Sequence, residues 1–120
     1  MRNWRLFVGI VLLIGLCTAC GAKADYDIRG TWGYTMLAQD GNTYDTGTIT
    51  FADGSTKGTY LQVNIYAVEY EGEFTVKGVD LKLTGDETWQ GTVTSATEMG
   101  GTWSHAGEAS GIWTATKQIP

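Results

Sequence analysis

The sequence predicts an all-β fold, a small antiparallel up-and-down β-barrel of about eight strands behind an N-terminal export signal. Three observations predict it. Beyond residue 20 the chain is rich in glycine and threonine, holds its single proline at position 120, and shows no sustained 3.6-residue apolar period. Short strand-like runs follow one another at a spacing of about 8–14 residues, which leaves no room for parallel crossovers. A glycine is followed two positions later by a large apolar residue at Gly30/Trp32, Gly47/Ile49, Gly58/Tyr60, Gly72/Phe74, Gly91/Val93, Gly101/Trp103 and Gly111/Trp113.

The N-terminus comes first. Arg2 and Arg5 precede an eleven-residue apolar run, LFVGIVLLIGL, and then CTAC. A basic start, a short apolar stretch and small residues make a secretory signal. Eleven residues at about 1.5 Å each reach only halfway across a ~30 Å hydrocarbon core, so a membrane-spanning helix is the poorer reading. Both cysteines, Cys17 and Cys20, lie in this segment, so no disulfide can staple the exported part. Thr18-Ala19-Cys20-Gly21 resembles the bacterial lipobox. That resemblance implies cleavage before Cys20 and its acylation, hence a membrane partner held through the acyl anchor on Cys20. Cys17 stands where the lipobox usually has leucine. Gly21 carries none of the acid that would imply inner-membrane retention, so the expected location is the bacterial envelope, on the outer membrane, periplasmic or surface-facing. The expected organisation is residues 1–19 as signal peptide, 20–29 as lipidated cysteine and tether, and 30–117 as barrel.

Without residues 1–19 the chain keeps six basic residues against thirteen acidic, about −7. Such a domain repels phosphate backbones, which argues against nucleic-acid binding.

The strands are expected at about 30–38, 44–51, 57–65, 68–77, 79–84, 87–94, 98–104 and 109–117. EYEGEFTVK, residues 69–77, alternates most cleanly: Tyr70, Gly72, Phe74 and Val76 share one face and charged residues share most of the other. Asp40-Gly41-Asn42, Ala52-Asp53-Gly54-Ser55, Lys77-Gly78, Gly85-Asp86 and Ala106-Gly107 mark turns. Residues 65–68 carry no such mark. The glycine-plus-two pattern puts a bare backbone patch and a large side chain on one face, so the sheet can bend sharply while a ring from a neighbour covers the gap. Repeated in most strands, it argues for continuous curvature and closure, with the last strand on the first.

Gly30-Thr31-Trp32 resembles the Gly-x-Trp opening of lipocalin-like (calycin) proteins. The C-terminal strand, Gly111-Ile112-Trp113-Thr114-Ala115-Thr116-Lys117, is similar to that of short bacterial lipoproteins of this barrel type. The resemblance implies a barrel over residues 30–117 able to hold a small apolar molecule. The chain is shorter than a typical lipocalin and lacks its C-terminal helix. Similar envelope barrels also include inhibitors of hydrolases.

Catalytic chemistry is not legible. His105 stands next to Ala106-Gly107 and is read as a turn residue in solvent. Ser104 faces the other side of its strand and cannot pair with it. Asp40 to Asp45 lacks the glycine and glutamate of a calcium loop and reads as a hairpin turn. Asp86-Glu87 is read as a solvated turn. The sequence therefore leads us to expect no enzyme activity, metal site or cofactor.

The aromatic residues carry the functional signal. Their plain role is core filling. Their sharper role is a ligand cup, for which the candidates are Trp32, Tyr34, Tyr60, Trp103 and Trp113. GTYLQVNIY, residues 58–66, divides the two. Hydrophobic burial turns Leu61, Val63 and Ile65 inward and leaves the barrel dry, and that arrangement is preferred at ~1.5–3 kcal/mol per side chain. The glycine pattern turns Tyr60, Gln62, Asn64 and Tyr66 inward instead, and a bulge at Gly58 would reconcile both. Two functions follow: a lipid-anchored barrel holding a small apolar ligand, or a dry barrel that binds an envelope protein.

Overall fold

The computed structural model describes residues 23–52 and 54–118. The signal segment, the lipobox and Cys20 lie outside the described residues, as does Asp53. Eight strands follow in chain order: β1 Gly30–Ala38, β2 Thr43–Phe51, β3 Lys57–Asn64, β4 Glu69–Lys77, β5 Asp80–Thr84, β6 Thr88–Val93, β7 Glu98–His105 and β8 Ala109–Lys117. Each pairs antiparallel with the next, and β8 closes on β1. Trp113 stands opposite Met36, so Trp32 and Trp113 do lie on neighbouring strands.

The glycines close the barrel as their spacing suggests. Gly91 faces Gly101 across β6 and β7, and Gly101 faces Trp113 on β8. A Cβ at Gly91 would stand 2.7 Å from Cζ2 of Trp113, so the indole lies on the backbone left bare by glycine. The Trp113 indole N–H donates to the carbonyls of Thr102 and Gln90, at 3.0 and 3.2 Å. Tyr60 covers Gly72 in the same way, with its ring 2.8 Å from where a Cβ would sit.

That packing overturns the preferred orientation of β3. Tyr60 and Gln62 are buried, Leu61 and Val63 are half-buried on the opposite parity, and Ile65 is 62% exposed. The register decides it. Phe74 and Val76 face the core, and Phe74 is opposite Gly58, so Gly58, Tyr60 and Gln62 share the inner face. Turning Leu61 inward would slip β3 by one residue and uncover Gly72. The pairing runs unshifted through Gly58, and the register shift lies at Met36/Leu37. Asn64 and Tyr66 do not follow Gln62 into the barrel. The Asn64 Oδ1 accepts from the amides of Tyr66 and Val68 and builds the unmarked turn, with Ala67 at φ 64° and Tyr66 exposed.

The barrel has two unlike ends. At the end where β1 begins, residues 23–29 pack on the barrel and do not form a free tether. Lys23 O and Asp25 N bond to Gly78, Ile28 is fully buried, and the Trp32 indole donates to Ile28 O at 2.8 Å. This end is sealed. The opposite end carries the turns at 39–42, 65–68, 85–87 and 106–108.

Candidate functional site

The open end is built by alternation. On β7, Met99, Gly101 and Trp103 point inward, so His105 does too, one step beyond Trp103. On β6 Trp89 points inward, so Glu87 just before the strand does the same. On β2 the inward set Phe51, Ile49, Gly47 ends at Asp45, and on β4 Phe74 and Gly72 lead to Tyr70. Each polar residue at the mouth is thus the last member of an inward-facing row.

Below them runs a buried polar chain. Gln62 Nε2 donates to the Tyr34 hydroxyl at 3.0 Å, and that hydroxyl donates to Asp45 Oδ2 at 3.0 Å. Gln62 is a polar residue wholly inside the core, and the chain satisfies it. Burial, chiefly, raises the Tyr34 hydroxyl far above the ordinary tyrosine range. Burial also pushes Tyr60 up to about 12, with smaller contributions from Glu87 and Asp86. The hydroxyls of Tyr44 and Tyr70 are raised by burial and then by the carboxylates of Glu87 and Asp45.

Glu87 and His105 differ from the sequence expectation of solvated turn residues. Their side chains are 11% and 29% exposed, and Glu87 Oε2 lies 3.9 Å from His105 Nδ1. The cause is that their strand parity points them into the mouth. Burial raises the Glu87 pKa, opposed by a hydrogen bond from Trp89 and by the nearness of His105. Asp86 remains exposed, as expected for a turn.

All five aromatic candidates are buried, but they do not form one cup. Trp32 is at the sealed end, with Lys117 Nζ 5.9 Å from its ring centre. Tyr34 and Trp113 meet in mid-barrel through Trp89, whose ring centre is 5.4 Å from Tyr34 and 5.1 Å from Trp113. Tyr60 packs on Phe51 and over Gly72. Trp103 lies nearer the mouth, where Tyr44 stacks on it at 4.3 Å and its indole donates to Leu37 O at 3.1 Å. The deep lumen is filled by these rings. Sequence reasoning missed Asp45, Tyr70, Glu87 and His105 as mouth residues. Extending the i, i+2 rule one step past Trp89 and Trp103 would have found the last two.

Acid at the mouth stands without base among the described residues. Asp40, Asp45, Glu69, Asp86, Glu87 and Glu108 lie in that half of the barrel. Among the described residues no lysine or arginine joins them: Lys23, Arg29, Lys57, Lys77 and Lys117 are at the sealed end, and Lys82 is midway along β5.

No protein-family profile matches the chain, and no curated protein sequence matches it. Solved structures do. A redesigned β-barrel aligns with a TM-score of 0.60 at 20% identity, over 77% of this chain and 92% of that one. A de novo designed fluorescence-activating β-barrel aligns at 0.56 and 17% identity, over 77% and 94%. EF1p2_mFAP2b, solved bound to DFHBI, aligns at 0.55 and 21% identity, over 76% and 94%. At these identities the likeness is one of fold.

Proposed function

We propose that this chain is a lipid-anchored envelope lipoprotein of lipocalin-like build whose barrel takes a small, largely apolar molecule at its open mouth. The observation that carries the proposal is the asymmetry of the barrel. One end is sealed by residues 23–29 through Ile28, while the other ends in inward-facing Asp45, Tyr70, Glu87 and His105 over a floor of aromatic rings. The anchor rests on the resemblance at residues 18–21 and fits this geometry. Lys23 lies at the sealed end, so an acylated Cys20 three residues earlier turns the mouth away from the bilayer. Among the described residues no helix is long and apolar enough to cross a membrane. A redesigned β-barrel of similar fold, mFAP1, was solved bound to DFHBI, which supports a small-ligand role for this architecture. The acidic mouth disfavours carboxylates, so neutral or amine-bearing aromatics are the better class and fatty-acid anions the worse.

The experiment is a titration of intrinsic tryptophan fluorescence with phenethylamine and with laurate. Saturable quenching by the amine, with stabilisation approaching ~2.7 kcal/mol at a hundred times Kd, supports the reading. No saturation by either probe counts against it. The anchor is checked separately: Cys20→Ser should accumulate unprocessed precursor without palmitate label.

A second reading has its own observation. Ile65, Tyr66 and Val68 are 62%, 78% and 44% exposed on one turn at the mouth, held in shape by Asn64. A rigid apolar tip in an acidic setting suits a protein partner with a basic rim. Loss of envelope-protein capture on Tyr66→Ser, with ligand titration unchanged, would favour it.

A further inference from the structure

We propose that Asp86, Glu87 and His105 form a site for a borderline divalent metal ion, of which Zn²⁺ is the type, at the rim of the mouth. The inference goes beyond the ligand reading and does not depend on it. One donor atom from each of the three residues lies within 4.8 Å of the other two. His105 Nδ1 is buried without a hydrogen-bond partner among the described residues. The nearest carboxylate oxygen, Glu87 Oε2 at 3.9 Å, is beyond hydrogen-bond reach. A buried imidazole nitrogen with nothing to bond is costly, and such groups in folded proteins usually have a partner.

A cation supplies one. Zn²⁺ binds imidazole nitrogen and carboxylate oxygen at about 2.0–2.2 Å, which places two ligands of a tetrahedral ion roughly 3.4 Å apart. The 3.9 Å between Nδ1 and Oε2 is close to that span, so small side-chain rotations bring both onto one ion. Asp86, adjacent and exposed, supplies the third ligand from the turn. The charge agrees, since the surrounding half of the barrel holds carboxylates and no lysine or arginine among the described residues. The donor chemistry selects the metal. One imidazole with two carboxylates suits Zn²⁺, Cu²⁺ or Ni²⁺ better than Ca²⁺ or Mg²⁺, which prefer all-oxygen sites. Three protein ligands leave a position on the ion for water or for a ligand atom in the mouth.

The test is calorimetric titration of ZnCl₂ into the full chain in detergent, alone and with excess MgCl₂. The expected result is one Zn²⁺ per chain, unaffected by Mg²⁺, with at least a tenfold loss of affinity in His105→Gln and in Glu87→Gln and a smaller loss in Asp86→Asn. Co²⁺ should give the intense visible absorption of a four-coordinate ion in the wild type and lose it in His105→Gln. Thermal melting of each variant without metal confirms that it is folded. Should His105→Gln fail to fold, Glu87→Gln and the Co²⁺ spectrum decide. No saturable binding, several weak ions displaced by Mg²⁺, or equal affinity in folded His105→Gln or Glu87→Gln would each overturn the site.

Discussion

A single side chain, Gln62, shows how this barrel accommodates polarity. Its amide is buried on a strand whose aliphatic neighbours face outward, and it is tolerable because Tyr34 accepts from it and passes the bond on to Asp45. Gln62→Leu should therefore change stability by less than ~1 kcal/mol, because Tyr34 keeps its bond to Asp45 and an amide leaves the core. Urea unfolding measures this, and a loss of several kcal/mol would show that the amide holds more than Tyr34. Tyr60 makes a pH prediction. Its hydroxyl has an ordinary value of 10.0 and is raised by burial to about 12 in the fold. Between those values the unfolded chain loses the proton and the folded chain keeps it, so stability falls as pH rises from 10 to about 12. Tyr60→Phe should flatten that part of the pH–stability curve. At the same scale, Glu87 and His105 were passed over as site residues. Their place beside turn glycines suggested solvent, and only the parity of β6 and β7 turns them inward.

Among the elements, the strands were legible almost to the residue, because glycine, threonine and turn signals all point the same way. The orientation of β3 was not. Single-strand hydrophobicity turns Leu61, Val63 and Ile65 inward, whereas the register with β4 and the need to cover Gly72 turn Tyr60 inward. Parity is a property of the pair, and one strand read alone cannot state it. The turn at 65–68 fell where the strand spacing put it but carried no turn mark, because its signal lies in the last residue of β3, Asn64, whose side chain does the work expected of a glycine. The ring-over-glycine packing of β6, β7 and β8 can be tested directly. Trp113→Ala should cost about 3–5 kcal/mol. Gly91→Ala should cost about 1–3 kcal/mol, since its Cβ meets the Trp113 ring and the Gly100 carbonyl and neither can withdraw. A neutral Gly91→Ala would mean that the ring does not rest there. The segment 23–29 was expected as a plain tether, yet Ile28 makes it a plug. Ile28→Ala should lower stability by about 2–5 kcal/mol in denaturant unfolding.

Over the whole molecule, curvature, plug and charge together define a direction. The glycines close the sheet, residues 23–29 seal one end, and the acidic residues stand without basic partners at the other. Closure and net acidity were legible in the sequence. The polarity of the charge was not, because residues far apart in the chain meet at one end only once the strands alternate in direction. The central claim is that ligand enters at the acidic mouth, and amide chemical-shift mapping during a phenethylamine titration tests it most directly. The account predicts saturable shifts at Tyr44, Asp45, Gln62, Tyr70, Glu87 and His105, with Ile28, Lys57 and Gly78 unmoved. Saturable shifts centred on Ile28, Lys57 and Gly78, or no saturable shift at any residue, would contradict it.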